Sequence, residues 1–384
     1  MPGYELLGLE EFQEIGEVFS KGAVLYRRGF DKRRSGCFKV EEFEREFARY
    51  LGVPHALGVT SGTAALRVAL AACGIGPGDE VITSSFTFVA TVEAIVESGA
   101  TPICVNIDET LTISPDAVKA AITRNTKAII VVHMLGTPCE MAQLKKLAED
   151  YNLYIIEDTA WGLGGELAEE KLGSIGHIGV FSFDYAKAIT TGEGGMLVCR
   201  DRILYQKASA WHDHGHENNP SLPRWLDTRS SSGFNFRMNE LQGAVGVAQL
   251  RKLPTIIDHQ RKIASYLKES LADVRGLIVR PEPNAAKSTF DAFIFSVPTV
   301  ELALKCSSVL SEIGVETKIL PQAITWHFAP HWQHIPSLIL RDPMTSGTLE
   351  DSEHLLNRCV AIPINMNSKL DIDAIRKKIK AILE

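Results

Sequence analysis

The feature that most constrains the fold is an alternation of short apolar runs with helical patterns over the first two thirds of the chain. Several runs are almost continuous in Val, Ile, Leu and Phe, as expected of strands that helices cover on both faces. Such alternation predicts a mainly parallel sheet wrapped by helices. The predicted strands are residues 56–59, 80–84, 102–107, 128–134, 154–158, 178–183 and 195–199, and the helices among them are residues 63–73, 87–97, 115–122 and 139–151.

The pattern changes near residue 240, where longer helical segments begin. We predict one helix over residues 239–253, ended by Pro254, and a second over residues 256–271, because proline removes a backbone donor and disfavours the helix before it. Later elements are shorter and mixed. We therefore divide the chain into a large α/β domain, residues 1–250, which opens with a helical segment, and a smaller α+β domain, residues 251–384.

Composition and charge exclude several classes of protein. Forty Lys and Arg against 47 Asp and Glu give a net charge of −7, which does not suit a nucleic-acid binder. Apolar runs such as residues 128–132 are too short to cross a bilayer, and the N-terminus, which opens with Glu5, Glu10 and Glu11, lacks the basic and apolar regions of a signal peptide. Seven scattered cysteines argue against a disulfide framework and a zinc site. We expect a soluble, cytoplasmic protein.

Polar and aromatic residues follow the first two predicted strands. In an open α/β sheet, ligands bind beyond the carboxyl ends of the strands. Thr60-Ser61-Gly62-Thr63 runs from a strand directly into a helix, so its backbone amides form either a plain helix cap or a phosphate cradle. Phe86 and Phe88 follow the next strand, and each is either a core residue or a surface on which a flat ligand stacks.

Two further strands deliver ionisable groups to the same edge. Glu157 and Asp158 end the strand at 154–158; such acids are usually surface charges, but a half-buried one can pair with a protonated ring nitrogen. Lys187 follows the strand at 178–183. A lysine is usually solvated, but at a strand end beside aromatic surface it can lose its proton and attack a carbonyl.

The combination of these groups at one sheet edge is more specific than any one of them. A phosphate cradle, an aromatic plate, a carboxylate and a lysine are what pyridoxal 5'-phosphate (PLP) requires. Its phosphate would bind the amides and its ring would stack on the aromatic side chain. Asp158 would keep the pyridine nitrogen protonated, and Lys187 would hold the aldehyde as a Schiff base. The sequence therefore predicts a PLP site.

Six short motifs occur in fixed order between about residues 40 and 250. They are Ser61-Gly62-Thr63-Ala64-Ala65, Phe86-Thr87-Phe88-Val89-Ala90-Thr91, Glu157-Asp158-Thr159-Ala160, Phe181-Ser182-Phe183 followed by Lys187, Thr191-Gly192-Glu193-Gly194-Gly195 and Gly233-Phe234-Asn235-Phe236-Arg237-Met238. With these motifs the sequence resembles the DegT/StrS-type sugar aminotransferases, which are fold-type I PLP enzymes. The resemblance implies a mainly parallel seven-stranded sheet with a smaller C-terminal α+β domain.

The resemblance assigns roles around the cofactor ring. It implies that Lys187 is the Schiff-base lysine, that Asp158 is the partner of the pyridinium nitrogen, and that Phe88 stacks on the ring. Lys187 also distinguishes the chain from a branch of the family that has histidine there and dehydrates sugars. Trp161 is a departure, since the family usually has Gln or His facing the ring, and an indole can stack or donate one N–H but cannot accept a hydrogen bond.

The resemblance also assigns the phosphate contacts. It implies that the amides of Gly62 and Thr63 bind the phosphate, together with the Ser182 hydroxyl. Asn235 matches an asparagine that reaches the phosphate bound by the neighbouring subunit. A homodimer with an active site shared between its subunits is therefore expected.

Within the family, four stretches look like the branch that forms 8-amino-3,8-dideoxy-manno-octulosonate for lipopolysaccharide. They are Gly29-Phe30-Asp31, His212-Asp213-His214-Gly215-His216-Glu217, Asp227-Thr228-Arg229-Ser230 and Trp326-His327-Phe328. This likeness implies glutamate as amino donor and an 8-oxo-3-deoxy-octulosonate as acceptor. Both are carboxylates, so an arginine should anchor them; Arg237 is the candidate, with Arg27 and Arg229 as alternatives. His327 is a candidate substrate contact.

Three alternatives stay open at this point. A nucleotide-linked ketosugar is a second possible acceptor. A catalytically silent sugar-binding or regulatory homologue is a possibility of another class, although such a protein is expected to have lost Lys187 or Asp158. The three histidines at 212, 214 and 216 invite a metal site, but no cysteine or clear carboxylate set joins them, and we predict that no metal is bound.

Overall fold

The structure is a computed structural model that describes residues 2–219, 221–340 and 349–384. Its strands are β1 (His55–Val59), β2 (Glu80–Ser84), β3 (Thr101–Val105), β4 (Thr126–Val132), β5 (Tyr154–Asp158), β6 (Glu166–Leu167), β7 (Glu170–Lys171), β8 (Ile178–Ser182), β9 (Gly195–Cys199), β10 (Ile278–Val279), β11 (Ala286–Lys287), β12 (Ala292–Ser296), β13 (Ile339–Leu340) and β14 (Cys359–Pro363). Its helices are α1 (Pro2–Glu5), α2 (Leu9–Ser20), α3 (Asp31–Arg34), α4 (Lys39–Leu51), α5 (Gly62–Ala72), α6 (Val89–Glu97), α7 (Pro115–Ala121), α8 (Met141–Tyr151), α9 (Arg202–Trp211), α10 (Glu240–Leu271), α11 (Val300–Glu312), α12 (Ile324–His327), α13 (Glu350–Asn357) and α14 (Ile372–Leu383).

The main sheet has eight strands in the described residues, in the order β1-β9-β8-β5-β4-β2-β3-β13. Seven of them are the seven predicted strands, and the mainly parallel α/β fold is confirmed. Only β9 runs antiparallel to its neighbours β1 and β8. The eighth strand, β13, pairs with β3 at the edge and was not predicted, because two residues are too few to show a periodic pattern.

Alternate side chains of the central strands enter two different cores. In β4, Ala128, Ile130 and Val132 pack in the cluster that contains α5, whereas Ile129 and Val131 pack in the cluster that contains α7 and α8. Successive residues of a strand point to opposite faces of the sheet, so a strand covered on both faces is apolar throughout. This explains why the central strands were recognisable as continuous apolar runs.

The helix around residue 254 differs from the prediction. We expected two helices separated at Pro254, but α10 runs without a break from Glu240 to Leu271 with Pro254 inside it. The lost hydrogen bond is offset by burial of Leu250, Leu253 and Ile257 in a core shared with α4 and the strands β8 and β9. The domain boundary predicted at residue 250 falls within this helix, and the division at that residue stays a prediction.

The C-terminal part of the chain has its own small sheet and then returns to the large one. The antiparallel strands β10, β12 and β14 share a core with α11, α14 and the second half of α10. Between α11 and α13, however, Phe328 pairs with Phe86 and β13 pairs with β3. The segment with residues 318–328 therefore lies at the carboxyl end of the large sheet. Within the described residues, no helix is both long and apolar enough to span a membrane.

Candidate active site

A cavity of about 330 Å³ opens at the carboxyl ends of β1, β2, β5 and β8. Eight of the residues singled out in the sequence line it: Gly62, Thr63, Phe88, Asp158, Trp161, Ser182, Lys187 and His327. Asn235 and Arg237 do not line this cavity. The structure thus brings together the strand-end residues that local motifs indicated, and it leaves the two residues of the 233–238 segment outside.

The first turn of α5 forms one wall of the cavity. Ser61 caps the helix, since its hydroxyl accepts a hydrogen bond of 3.0 Å from the amide of Ala64. Among the described residues, the preceding amides of Gly62 and Thr63 have no hydrogen-bond partner. A Cβ at Gly62 would lie 2.8 Å from Cβ of Ser182, so only glycine lets the helix start so close to that hydroxyl. Two unpaired amides at a helix start beside a hydroxyl suit a phosphate.

Asp158 is a buried carboxylate with neutral partners. It accepts hydrogen bonds from the Thr91 hydroxyl at 2.8 Å and from the Ala160 amide at 3.2 Å. Burial raises its pKa, and the Thr91 bond opposes that rise. No described residue forms an ion pair with Asp158. A cationic nitrogen entering the cavity would therefore stabilise the charged carboxylate.

The neighbouring Glu157 faces the other side of β5. Its carboxylate accepts hydrogen bonds from the amides of Gly173 and Ile175 at 2.8 and 2.7 Å, and it lies 3.0 Å from Nε2 of the buried His133. Glu157 is fully buried among these partners and does not line the cavity. Its role is to hold a loop of the large domain.

Lys187 carries a buried amine at the centre of the cavity. Its Nζ lies 3.7 Å from the centroid of the Trp161 ring. Within the described part of the chain, this Nζ has no hydrogen bond and no ion pair. Burial lowers the pKa of Lys187 to about 8, against the opposing influence of Asp158. Burial therefore increases the fraction of the amine that is neutral near physiological pH, which is the form that attacks a carbonyl.

A second lysine, which sequence reasoning missed, lies on the same indole. Nζ of Lys318 is 4.6 Å from the Trp161 ring centroid and forms an ion pair with Asp291. Burial lowers its pKa. No local motif marks Lys318 in the sequence; the only signal was the unusual Trp161, whose face can hold cations.

Residues 88 and 327 form the mouth of the cavity. Phe88 is 43% exposed, and its ring centroid lies 5.7 Å from that of His327. The rings of His327 and Trp161 are 6.4 Å apart. Burial lowers the pKa of His327 to about 4, and the nearby charges of Lys187 and Lys318 act in the same direction. His327 is therefore a neutral polar group beside the reactive amine.

The 233–238 segment runs beside the phosphate cradle but faces away from the cavity. The Thr60 amide donates to the carbonyl of Phe236 at 3.0 Å. Asn235 is exposed. Arg237 forms an ion pair with the fully buried Asp213. In the single chain, neither predicted role, phosphate contact for Asn235 or substrate anchor for Arg237, is fulfilled at the cavity.

The three histidines of the 212–217 stretch have different environments. His212 is fully buried, His216 lies 3.1 Å from an oxygen of Asp227, and His214 occupies a turn with φ of 56°. Across residues 2–219, 221–340 and 349–384, no group of three or more His, Cys, Asp or Glu side chains has an arrangement that could hold a metal ion.

The cavity fits PLP on three independent features. Amides at a helix start and a hydroxyl suit its phosphate, a buried carboxylate without a cation suits its ring nitrogen, and a buried amine with a lowered pKa suits its aldehyde. Together with the parallel sheet and its C-terminal domain, these features define the class of fold-type I PLP enzymes.

Comparison with known proteins then identifies the family. Residues 32–381 match the DegT/DnrJ/EryC1/StrS aminotransferase family, and the chain belongs to it. Over 339 residues it is 34% identical to the spore coat polysaccharide biosynthesis protein SpsC of Bacillus subtilis, covering 85% of this chain and 84% of that protein. Over 304 residues it is 34% identical to GDP-perosamine synthase of Caulobacter vibrioides, covering 77% and 79%. The solved aminotransferase TlmJ from Streptoalloteichus hindustanus superposes with a TM-score of 0.83 at 26% identity, covering 98% of this chain and 96% of that chain.

The protein is therefore a PLP-dependent sugar aminotransferase, with an amino donor and a ketosugar as substrates. The predicted family, enzyme class and cofactor are confirmed. A catalytically silent homologue, the alternative of another class, is set aside.

Proposed function

We propose that this enzyme transfers an amino group from glutamate to carbon 8 of 3,8-dideoxy-8-oxo-manno-octulosonate, an acidic sugar of lipopolysaccharide. The observation that carries the proposal is the position of His327. It belongs to Trp326-His327-Phe328, one of the four stretches that resemble the octulosonate branch, and its side chain lines the cavity beside Lys187.

Two other stretches of that resemblance form one structural unit. Arg229 contacts Nε2 of His216 at 3.3 Å, and the other ring nitrogen of His216 contacts Asp227. Arg224, between the two stretches, binds Asp213 with two hydrogen bonds of 2.8 and 2.6 Å. Side chains of the 212–217 stretch thus bind side chains of residues 224–229, which supports a shared role for the 212–217 and 227–230 stretches.

Lys187 moves the proton in the proposed reaction. PLP, when bound, accepts the electron pair released when a Cα–H bond of the substrate breaks. With the cofactor bound, the neutral amine of Lys187 would take the proton from the donor's Cα and would return it on the other side of the conjugated system, at carbon C4′ of the cofactor. With the acceptor bound, Lys187 moves a proton in the reverse direction. A positioned base contributes about 10²–10⁴-fold to such a transfer.

Other residues of the cavity position the cofactor. Asp158 accepts a hydrogen bond from the ring nitrogen and keeps it protonated, while Thr91 fixes the orientation of the carboxylate. The amides of Gly62 and Thr63 and the hydroxyl of Ser182 bind the phosphate. Phe88 would stack on the ring, and Trp161 would lie close to it.

A homodimer is part of the proposal. Asn235 is exposed and lies outside the cavity of its own chain, on a segment that runs beside the phosphate cradle. A residue that binds the phosphate in the cavity of a second subunit must be exposed on its own chain in this way. Arg237 lies two residues further on, so it would be presented at the same interface.

A nucleotide-linked ketosugar is the second candidate acceptor. It is favoured by the similarity to GDP-perosamine synthase, whose name indicates a nucleotide-linked product. The two acceptors differ in charge close to the reacting carbon: the octulosonate has a carboxylate within its own sugar, whereas the nucleotide sugar has a diphosphate and a base.

A substrate panel tests the proposal. Purified holoenzyme with glutamate is given 8-oxo-octulosonate, a GDP-linked 4-ketosugar and a UDP-linked 3-ketosugar, and aminated products are identified by mass spectrometry. We expect amination of the octulosonate at a kcat/KM at least about 100-fold above that for either nucleotide sugar, since a site built for one polar substrate rejects analogues by such factors. Preferred turnover of a nucleotide sugar would contradict the proposal.

A further inference from the structure

The three arginines expected to anchor substrate carboxylates are all engaged away from the cavity. Arg27 is buried and donates to Glu44 and to the Gly58 carbonyl. Arg229 contacts His216, and Arg237 pairs with Asp213. None of the three arginines lines the cavity. If the substrate carboxylate is bound by the same chain whose cavity it enters, its partner is therefore another residue.

Lys318 has the position and the chemistry for that task. Lys318 is not itself a lining residue, but its ammonium lies against the indole of Trp161, which lines the cavity and also contacts the amine of Lys187, and the next residue, Ile319, lines the cavity as well. Lys318 comes from the C-terminal segment, whereas Lys187 comes from the large sheet. Only 19% of the Lys318 side chain is exposed, so a carboxylate that reaches it would be largely shielded from water.

The ion pair with Asp291 leaves hydrogen-bonding capacity on Lys318. An ammonium group has three N–H donors. Asp291 accepts from one of them, and no other described residue accepts from Nζ of Lys318. The indole of Trp161 attracts the cation without using a donor. Asp291 and Trp161 thus hold Lys318 in place while two donors stay available for a ligand.

We propose that Lys318 is the carboxylate anchor shared by both substrates: it binds the side-chain carboxylate of glutamate in one half-reaction and the carboxylate of the acidic sugar in the other. The proposal rests on the function proposed above. A transaminase uses one site for donor and acceptor in turn, and both substrates carry a carboxylate several atoms from the carbon that reacts at Lys187. Trp161, which cannot accept a hydrogen bond, acts as the positioning residue that aligns the two lysines.

Binding of glutarate to the holoenzyme tests the anchor without turnover. Glutarate carries the donor's carboxylates but no amine, so isothermal titration calorimetry measures binding alone. We expect Lys318→Met to weaken glutarate binding roughly 10- to 100-fold, as for loss of a charged hydrogen bond. The control is Lys171→Met. Lys171 also lies on an aromatic ring, 4.1 Å from the Tyr50 centroid, and pairs with a carboxylate, Glu166, but Tyr50, unlike Trp161, does not line the cavity. This variant should bind glutarate as the wild type does.

A second variant removes the risk that Asp291 is left as an unpaired buried charge. Lys318→Met combined with Asp291→Asn deletes both charges, and thermal denaturation confirms that it is folded. The double variant should show the same loss of glutarate affinity, with an increase in KM for glutamate and octulosonate that exceeds the change in kcat. Binding within twofold of the wild type in both variants would overturn the proposal.

Activity with the two candidate acceptors distinguishes a failure of this inference from a failure of the proposed function. If wild-type enzyme aminates a nucleotide ketosugar and not the octulosonate, the proposed function fails, while glutarate binding still reports on Lys318. If wild-type enzyme aminates the octulosonate but Lys318→Met leaves both glutarate affinity and the acceptor KM unchanged, the inference fails and the function stands.

Discussion

The cavity has two halves of different origin. The strand-end half consists of residues 61–187 at the carboxyl ends of parallel strands, and it contains the groups suited to the cofactor. The C-terminal half consists of Ile319 and His327, which line the cavity, together with Lys318, which lies on the ring of Trp161 and pairs with Asp291. The difference teaches that the groups suited to the cofactor belong to short continuous motifs, whereas the groups proposed to bind the substrate come from distant parts of the chain.

Replacing Asp158 should have the largest effect, and it should affect both substrates equally. Asp158→Asn removes the buried charge that stabilises a protonated ring nitrogen. We expect a loss of about 10²–10³-fold in kcat for both half-reactions, as for removal of one preorganised electrostatic group. Single-turnover spectroscopy with glutamate and with the acceptor measures each half-reaction. A loss of rate with only one of the two substrates would show that Asp158 does not act through the shared cofactor, and the division of the cavity into two halves would be wrong.

The pH dependence of the glutamate half-reaction should distinguish Lys187 from His327, with a smaller change in rate than Asp158→Asn produces. Once glutamate has displaced it from the Schiff base, the Lys187 amine must be neutral to accept a proton. Burial lowers the pKa of the free amine to about 8, so the rate of the glutamate half-reaction should rise with pH below that value and level off above it. His327, with a pKa lowered to about 4, stays neutral over this range. His327→Gln should therefore leave the midpoint of the rising limb unchanged while lowering affinity for the acceptor several-fold.

Measured rates of the glutamate half-reaction between about pH 6 and 9 test this assignment. A midpoint that disappears in His327→Gln would assign the titration to the C-terminal half instead.

Much of the strand-end half could be predicted from sequence. The seven long strands were visible because both faces are buried, and each motif lies where a strand meets a helix. Strand alternation alone does not distinguish Glu157 from Asp158, since adjacent residues of a strand face opposite sides and the register relative to the cavity is a tertiary property; the prediction of Asp158 depended on the family's motif. The structure decides it: Asp158 lines the cavity, while Glu157 binds amides of Gly173 and Ile175.

The rest depends on contacts between distant residues. Lys318 gains its environment from Trp161 and Asp291, and a lone lysine in a sequence shows nothing of this. Arg237 looked available as an anchor because its partner Asp213 lies on a different loop. Pro254 was read as a helix end because local propensity predicts one, but packing of α10 against α4 and other helices overrides it.

The central claim is that Lys187, and not the neighbouring Lys318, binds the cofactor aldehyde. Reduction of the holoenzyme with borohydride fixes the covalent bond between the lysine and the cofactor, and digestion followed by mass spectrometry locates it. The account predicts that the peptide containing Lys187 carries the cofactor and that Lys187→Ala protein yields no adduct. Cofactor attached to the peptide containing Lys318, or to any other lysine of the wild-type enzyme, would contradict it.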